Sequence, residues 1–237
     1  MARNNLDAKT PAVSLLLPPE YLETATKMLA SAKRRVTLVG LIMYRDPVTA
    51  DFVEAIIAAA RRGVEVRVAA DFNTFIFGVE RSQIVRSGVR SMRDGVALAR
   101  ELREAGVKFR WLGRNYGTAM TSRTHSKWLV IDDDVFIFGG VNTDDEAIVR
   151  YNDYMFFISD PELADIVAKE HRTIERADRT KRLTQNHRVK SREGEVLFDG
   201  GHPGRSVIYS DMAALARDAE QILLVSQYCP TGKLAFI

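Results

Sequence analysis

Strands alternating with helices along most of the chain predict an α/β layered fold. Three observations carry that expectation. Residues 36–44 form an almost continuous apolar run, the pattern of a strand buried on both faces. Helical periodicity stands on each side of it, with Leu22, Ala25, Leu29 and Ala32 before and Phe52, Ile56 and Ala59 after. Shorter apolar segments then recur at 64–70, 107–112, 127–131, 135–138 and 154–158, each bounded by Gly, Asp, Asn or Pro.

Taken in order, Pro18 and Pro19 open the first helix, and Asp46-Pro47 ends the strand that follows it. The helix of residues 49–62 closes on Gly63, where a left-handed cap is wanted. The strand 64–70 ends at Asp71, Phe72 and Asn73, and residues 74–92 carry no clear pattern. Leu98 and Leu102 keep helical register over 94–105, which Gly106 terminates. Residues 114–124 are polar, contain Gly117 and read as a loop. The strands 127–131 and 135–138 flank a tight Asp-rich turn at 132–134. After the strand 154–158, Asp160 caps and Pro161 starts a helix containing Leu163, Ile166, Val167 and Ile174.

The character then changes. Residues 172–192 are rich in Arg and Lys and poor in apolar anchors, which suits a solvated helix end and linker or a patch for phosphate groups. Beyond it, a helical pattern at 212–220 and an apolar strand at 221–227 before Pro230 repeat the order seen at the start. Three segments are therefore expected: a catalytic half over 1–178, a basic linker over 179–204, and the beginning of a second repeat over 205–237.

Composition narrows the setting. The 237 residues are 46% hydrophobic and 27% charged, the balance of a globular protein rather than a disordered or fibrous one. A net charge of +3 and a pI near 9.0 suit an anionic partner such as phospholipid headgroups or nucleic acid. The lone Cys229 excludes an internal disulfide framework and a Cys-rich zinc site, so a reducing, cytoplasmic compartment is expected. Residues 1–19 lack a signal pattern, and no stretch approaches the ~18 apolar residues of a membrane span. Membrane contact is therefore expected to be peripheral, at the inner face.

One segment carries chemistry. It runs Thr124-His125-Ser126-Lys127-Trp128-Leu129-Val130-Ile131-Asp132 and continues to Gly139-Gly140-Val141-Asn142. On an extended chain His125 and Lys127 share a side, and the apolar residues after them anchor the strand in a core. A neutral imidazole is a competent nucleophile near neutral pH. An ammonium and an amide are good donors to the oxygens of a phosphodiester. Together they suit attack on phosphorus without a metal or cofactor. A lone His-x-Lys would more often be structural, but the full spacing is far more restrictive.

That spacing, His-x-Lys, four residues, Asp, six residues, Gly-Gly-x-Asn, resembles the signature of the phospholipase D superfamily at every fixed position. The chain is most similar to its bacterial cardiolipin synthase branch. Residues 36–71, the turn at 102–107, Asn152-Asp153, and Gln227-Tyr228-Cys229-Pro230 also resemble that branch, so coverage runs from about Tyr21 onward. The resemblance implies a phospholipase D-like layered fold with a mixed sheet flanked by helices. It implies that His125 is the nucleophile forming a phosphohistidine, or else the acid that protonates the leaving group. Lys127 and Asn142 would bind phosphate oxygens, and Gly139 and Gly140 would permit close backbone approach. Asp132 belongs to the motif's catalytic set as a structural or orienting carboxylate, or is an ordinary turn residue beside Asp133 and Asp134.

These enzymes combine two such motifs in one site, and this chain carries one. His171, His187 and His202 stand in no second His-x-Lys; His202, in a Gly-rich loop, is a candidate to line the site. Ile222 stands roughly 186 residues after Val36, so a second motif would fall near position 311. A longer natural protein is expected, or else a homodimer that brings two histidines together. Three functions follow: phosphatidyl transfer on anionic phospholipid, resembling cardiolipin synthase; a dimeric nuclease whose stretch 172–192 holds a nucleic acid backbone; or a half-domain that only binds anionic ligands.

Overall fold

The computed structural model describes residues 12–72, 84–113, 125–200 and 205–223. The chain divides into two compact units, Met1–Lys181 and Arg182–Ile237. The first unit is a mixed seven-stranded sheet between helices. Its elements are β1 (Ala12–Leu16), α1 (Pro18–Ser31), β2 (Arg35–Gly40), α2 (Ala50–Arg61), β3 (Glu65–Asp71), α3 (Ile84–Glu104) and β4 (Lys108–Leu112). They are followed by β5 (Trp128–Ile131), β6 (Asp134–Ile137), α4 (Asp145–Val149), β7 (Met155–Ser159) and α5 (Pro161–Arg179). The strand order is β1-β7-β6-β5-β2-β3-β4. Only β2–β3 and β3–β4 are parallel, each joined through a helix, as parallel neighbours require.

Alternation along β5 sets the two faces. Leu129 and Ile131 join the main core with Val36, Leu38, Val66 and Val68. There α1 supplies Tyr21, Ala25 and Leu29, and α2 supplies Phe52, Val53 and Ile56. The Tyr21 ring meets Phe136 edge-on at 5.4 Å between centroids. Trp128 turns the other way, where α5 lies over β2, β4, β5 and β6. It meets the ring of His171 at 6.4 Å. Asp160 caps α5 by accepting the N–H groups of Glu162 (2.8 Å) and Leu163 (3.3 Å). Gly63 sits at φ +91° past α2, the left-handed end that its lack of a Cβ permits.

Several elements depart from expectation. The short apolar run after residue 12 is β1, paired with β7 from Ala12↔Ser159 to Leu16↔Met155. The strand expected over 36–44 stops at Gly40. Met43 makes only an isolated bridge to Thr143, so burial rather than a ladder explains its apolar character. Part of the unassigned stretch 74–92 is the start of α3. The five-residue α4 has too few residues to show periodicity, and its cap, Asp144 accepting the N–H of Ala147 at 2.9 Å, is its signal. The loop 114–124 lies outside the described residues.

In the second unit, the stretch expected as a linker forms an antiparallel hairpin, β8 (His187–Ser191) with β9 (Gly194–Phe198). Its basic residues are partly neutralised in place, since Arg188 grips Asp211 with both terminal nitrogens and Arg192 pairs with Glu193. The helix α6 (Val207–Arg217) begins five residues earlier than the 212–220 pattern, because Ser206 caps it through the N–H of Tyr209. None of its residues is buried. Gln221, Ile222 and Leu223 carry no strand, and the remainder of the strand expected at 221–227 lies outside the described residues, as do His202 and Cys229.

Candidate active site

The candidate site is built where β5 begins and β2 ends. His125 and Ser126 lead into Lys127, and the buried strand Trp128–Ile131 holds that lead-in firm. His125 is exposed, whereas Lys127 keeps only 8% of its surface open. The Lys127 ammonium donates to the His125 carbonyl at 3.1 Å and stands 3.5 Å from its ring Nδ1. The two side chains thus share a side, as extended alternation predicts. Burial lowers the pKa of Lys127, because the ammonium has lost most of its water, and the negative charge of Asp153 pulls the other way.

Asp153 is the participant to which the sequence assigned no role. Its Oδ1 accepts the N–H of Tyr154 (2.8 Å) and of Gly140 (3.1 Å). The two glycines make this approach possible. A Cβ on Gly140 would overlap both carboxylate oxygens of Asp153, and one on Gly139 would overlap the Tyr154 carbonyl. Phe138, just before them, is an exposed aromatic held at φ +56°, a conformation that costs a bulky side chain on the order of 1 kcal/mol or more. From sequence alone, only the Gly-Gly pair hinted that something packs against this backbone.

Asn142 follows on the same segment. Its Oδ1 is buried and has no hydrogen-bond partner among the described residues, a costly state for an amide unless a ligand completes it. The backbone beside it is fixed to the end of β2, since Thr143 donates to Ile42 O (3.3 Å) and accepts from Tyr44 N (2.8 Å). Next to it Asp144 is a largely buried carboxylate whose pKa burial raises, an effect that neighbouring Asp46, Asp145 and Glu146 reinforce.

Asp132 stands elsewhere. The length of β5 separates it from Lys127, about 16 Å at ~3.3 Å per residue. Its Oδ2 accepts the N–H of Lys33 (2.9 Å), and its Oδ1 those of Arg34 (2.7 Å) and Arg35 (3.1 Å). Burial pushes its pKa up, but those three N–H groups outweigh it and hold the carboxyl below its ordinary value. Asp132 adopts φ +53°, which lets the turn into β6 close. The structure therefore gathers His125, Lys127, Gly139, Gly140, Asn142 and Asp153 at one end of the sheet and leaves Asp132, grouped with the catalytic residues from its spacing, as a brace at the other.

Two further histidines fall within the described residues. His171 is 1% exposed inside α5, with Nε2 3.6 Å from Glu175 Oε1. His187 stacks on Phe198 in the second unit. Among the described residues no group of three or more His, Cys, Asp or Glu is gathered so as to hold a metal ion, and no helix is long and apolar enough to cross a membrane.

Comparison with known proteins bears on the family and the fold. Residues 25–174 match the family model described as cardiolipin synthase, PLD-like domain. Cardiolipin synthase B of Salmonella typhi is 26% identical over 197 residues, which is 79% of this chain and 42% of the relative. Cardiolipin synthase B of Escherichia coli K12 is 27% identical over 178 residues, 71% of this chain and 39% of the relative. The chain thus spans about two fifths of the curated relatives it matches. Among solved structures, Nuc of Salmonella typhimurium, a phospholipase D family member, aligns at a TM-score of 0.51 and 19% identity, over 70% of this chain and 95% of its own. Phosphatidylserine synthase of Haemophilus influenzae aligns at 0.51 and 17%, over 68% and 36%.

Proposed function

Since this chain belongs to the phospholipase D-like domain family of cardiolipin synthase, we propose that it is the first half of a phosphatidyltransferase acting through His125. The carrying observation is the Lys127 ammonium, buried and held 3.5 Å from the His125 imidazole. In this reading Lys127 and the Asn142 amide hold the nonbridging oxygens of a phosphodiester and withdraw charge from phosphorus. A His125 ring nitrogen attacks; the P–O bond to the leaving alcohol breaks, and that oxygen takes a proton from a second acid. The acceptor alcohol then gives its proton to that second group and attacks the phosphohistidine, and His125 leaves as the neutral imidazole. No metal takes part.

The second acid is a histidine outside the described residues, supplied by a second repeat or by a second copy. Supporting a second repeat, α6 presents Ile208, Met212 and Ala216 with the four-residue spacing of Tyr21, Ala25 and Leu29 in α1, yet buries none of them. The domain plan of a catalytic half to about residue 178, a connecting segment and a repeat beginning near 205 follows from this reading. The substrate is an anionic phospholipid at the inner face of the membrane, with the chain cytoplasmic and peripheral. Sequence likeness to cardiolipin synthase B favours lipid over nucleic acid.

The test is turnover of phosphatidylglycerol vesicles in the presence of chelator, with rapid quench in neutral detergent to trap the phosphatidyl group on histidine, since the P–N bond is lost in acid. Product formation and a labelled His125 support the reading. Activity restored only by one divalent ion, or a labelled protein after His125→Ala, would overturn it. Cleavage of DNA or RNA strands in place of lipid turnover would turn the assignment to the nuclease.

A further inference from the structure

We infer that the open edge of β1 is an interaction surface, and that its partner is β1 of a second copy, paired antiparallel across a two-fold axis at Ser14. The two edges of the sheet differ. At the β4 edge, Lys108 pairs with Glu65 (2.8 Å) and Arg110 with Asp178 (2.6 Å through Nε), so charged side chains guard the strand. Such charges are how edge strands avoid unwanted pairing. Residues 12–17 at the β1 edge carry no charge, and Val13 and Leu15 are 57% and 52% exposed. Among the described residues no strand pairs with the outer side of β1.

The apolar character continues onto the sheet face. Val13 stands opposite Ile158 and Leu15 opposite Phe156. The Phe156 ring packs edge-on against half-exposed Tyr154 at 5.6 Å. Covering this strip with a bilayer would leave the outer N–H and C=O groups of β1 without partners, which lipid cannot supply. Residues 12–17 themselves offer a polyanion no cation. Only another strand satisfies both backbone and side chains. The segment Ala12-Val13-Ser14-Leu15-Leu16 is self-complementary: about Ser14, Val13 meets Leu15 of the other copy and Ala12 meets Leu16, so no polar group faces an apolar one.

This surface goes beyond the proposed chemistry and does not depend on it. In such a pair the two β5 strands lie seven strand spacings apart, about 34 Å at ~4.8 Å each. It is therefore not the contact that brings a second histidine to His125.

Sedimentation of the full chain should report twice the mass found for Val13→Lys with Leu15→Lys, and that variant should keep its circular dichroism and its turnover per site. In a Cys229→Ser background, Ser14→Cys should oxidise to a covalent dimer, because residues opposite each other at a two-fold fall within disulfide reach. A monomeric wild-type chain, a mass that does not halve with both lysines, or absence of the Ser14→Cys cross-link would each overturn the inference. So would loss of activity together with the dimer, since the interface would then be assembling the site.

Discussion

The two ends of β5 differ in how their polar groups are satisfied. At the Asp132 end a carboxylate accepts three backbone N–H groups, and Arg35 Nε donates back to its carbonyl at 2.9 Å. At the Lys127 end an ammonium is buried with a carbonyl, a neighbouring imidazole and the field of Asp153, and Asn142 keeps an unpaired buried oxygen. The first arrangement stabilises the fold. The second leaves buried polar groups that the described residues do not fully satisfy. One strand of four residues thus carries a brace at one end and a reactive cluster at the other.

Mutations should separate the two ends, and the largest effect belongs to His125. His125→Ala is expected to lower phosphodiester turnover at least ~10³-fold while leaving the melting temperature nearly unchanged, because the ring is exposed. Retained turnover would end its assignment. Lys127→Ala should cost about 10²–10³-fold in kcat. Its stability should hold or rise at neutral pH, since a buried charge is removed; a clear loss of stability would make Lys127 structural instead. Asp132→Ala should do the reverse. Three backbone N–H groups lose their acceptor, a loss of about 2–3 kcal/mol, read as a Tm drop of roughly 5–10 °C. Its folded pKa is lowered, so this stability is complete above the unfolded carboxylate value and fades as pH falls through the folded one. Turnover by the folded fraction of Asp132→Ala should stay near wild type, and a drop as deep as that of Lys127→Ala would join the two ends into one machine.

Much of this contrast was legible in the sequence, for identifiable reasons. Strands buried on both faces announce themselves by composition, and β2, β3 and β5 were each found within a few residues. The Gly63 cap and the Asp160-Pro161 start are local chemistry and need no tertiary information. The structure brings His125, Lys127 and Asn142 to one end of the sheet, as their spacing along one hairpin implies. Asp132 was expected as a structural or orienting carboxylate or as a turn residue, and the extended strand that carries it about 16 Å from Lys127 leaves it bracing the backbone of residues 33–35. Asp153 escaped because it reaches the site through contact with Gly140, thirteen residues earlier, and no local pattern encodes that contact. The edge strand β1 was missed because five residues whose solvent face is apolar break the usual alternation.

Asp153→Asn gives the smallest effect and tests the coupling within the reactive end alone. The amide keeps an oxygen for the N–H groups of Gly140 and Tyr154, so the backbone should remain in place. What disappears is a negative charge that raises the pKa of Lys127. The Lys127 pKa should then fall further below its ordinary value, and the alkaline limb of kcat/KM should move to lower pH. At neutral pH and below, where Lys127 remains charged, the variant should be slightly less stable than wild type because the buried ammonium has lost its counter-charge. That deficit should close as pH rises through the lysine pKa. A pH–rate profile and melts at neutral and alkaline pH read both effects. An alkaline limb that stays where it was would mean that Asp153 serves the backbone only, and that the reactive end, like the brace at the far end of β5, is held by hydrogen bonds rather than by charge.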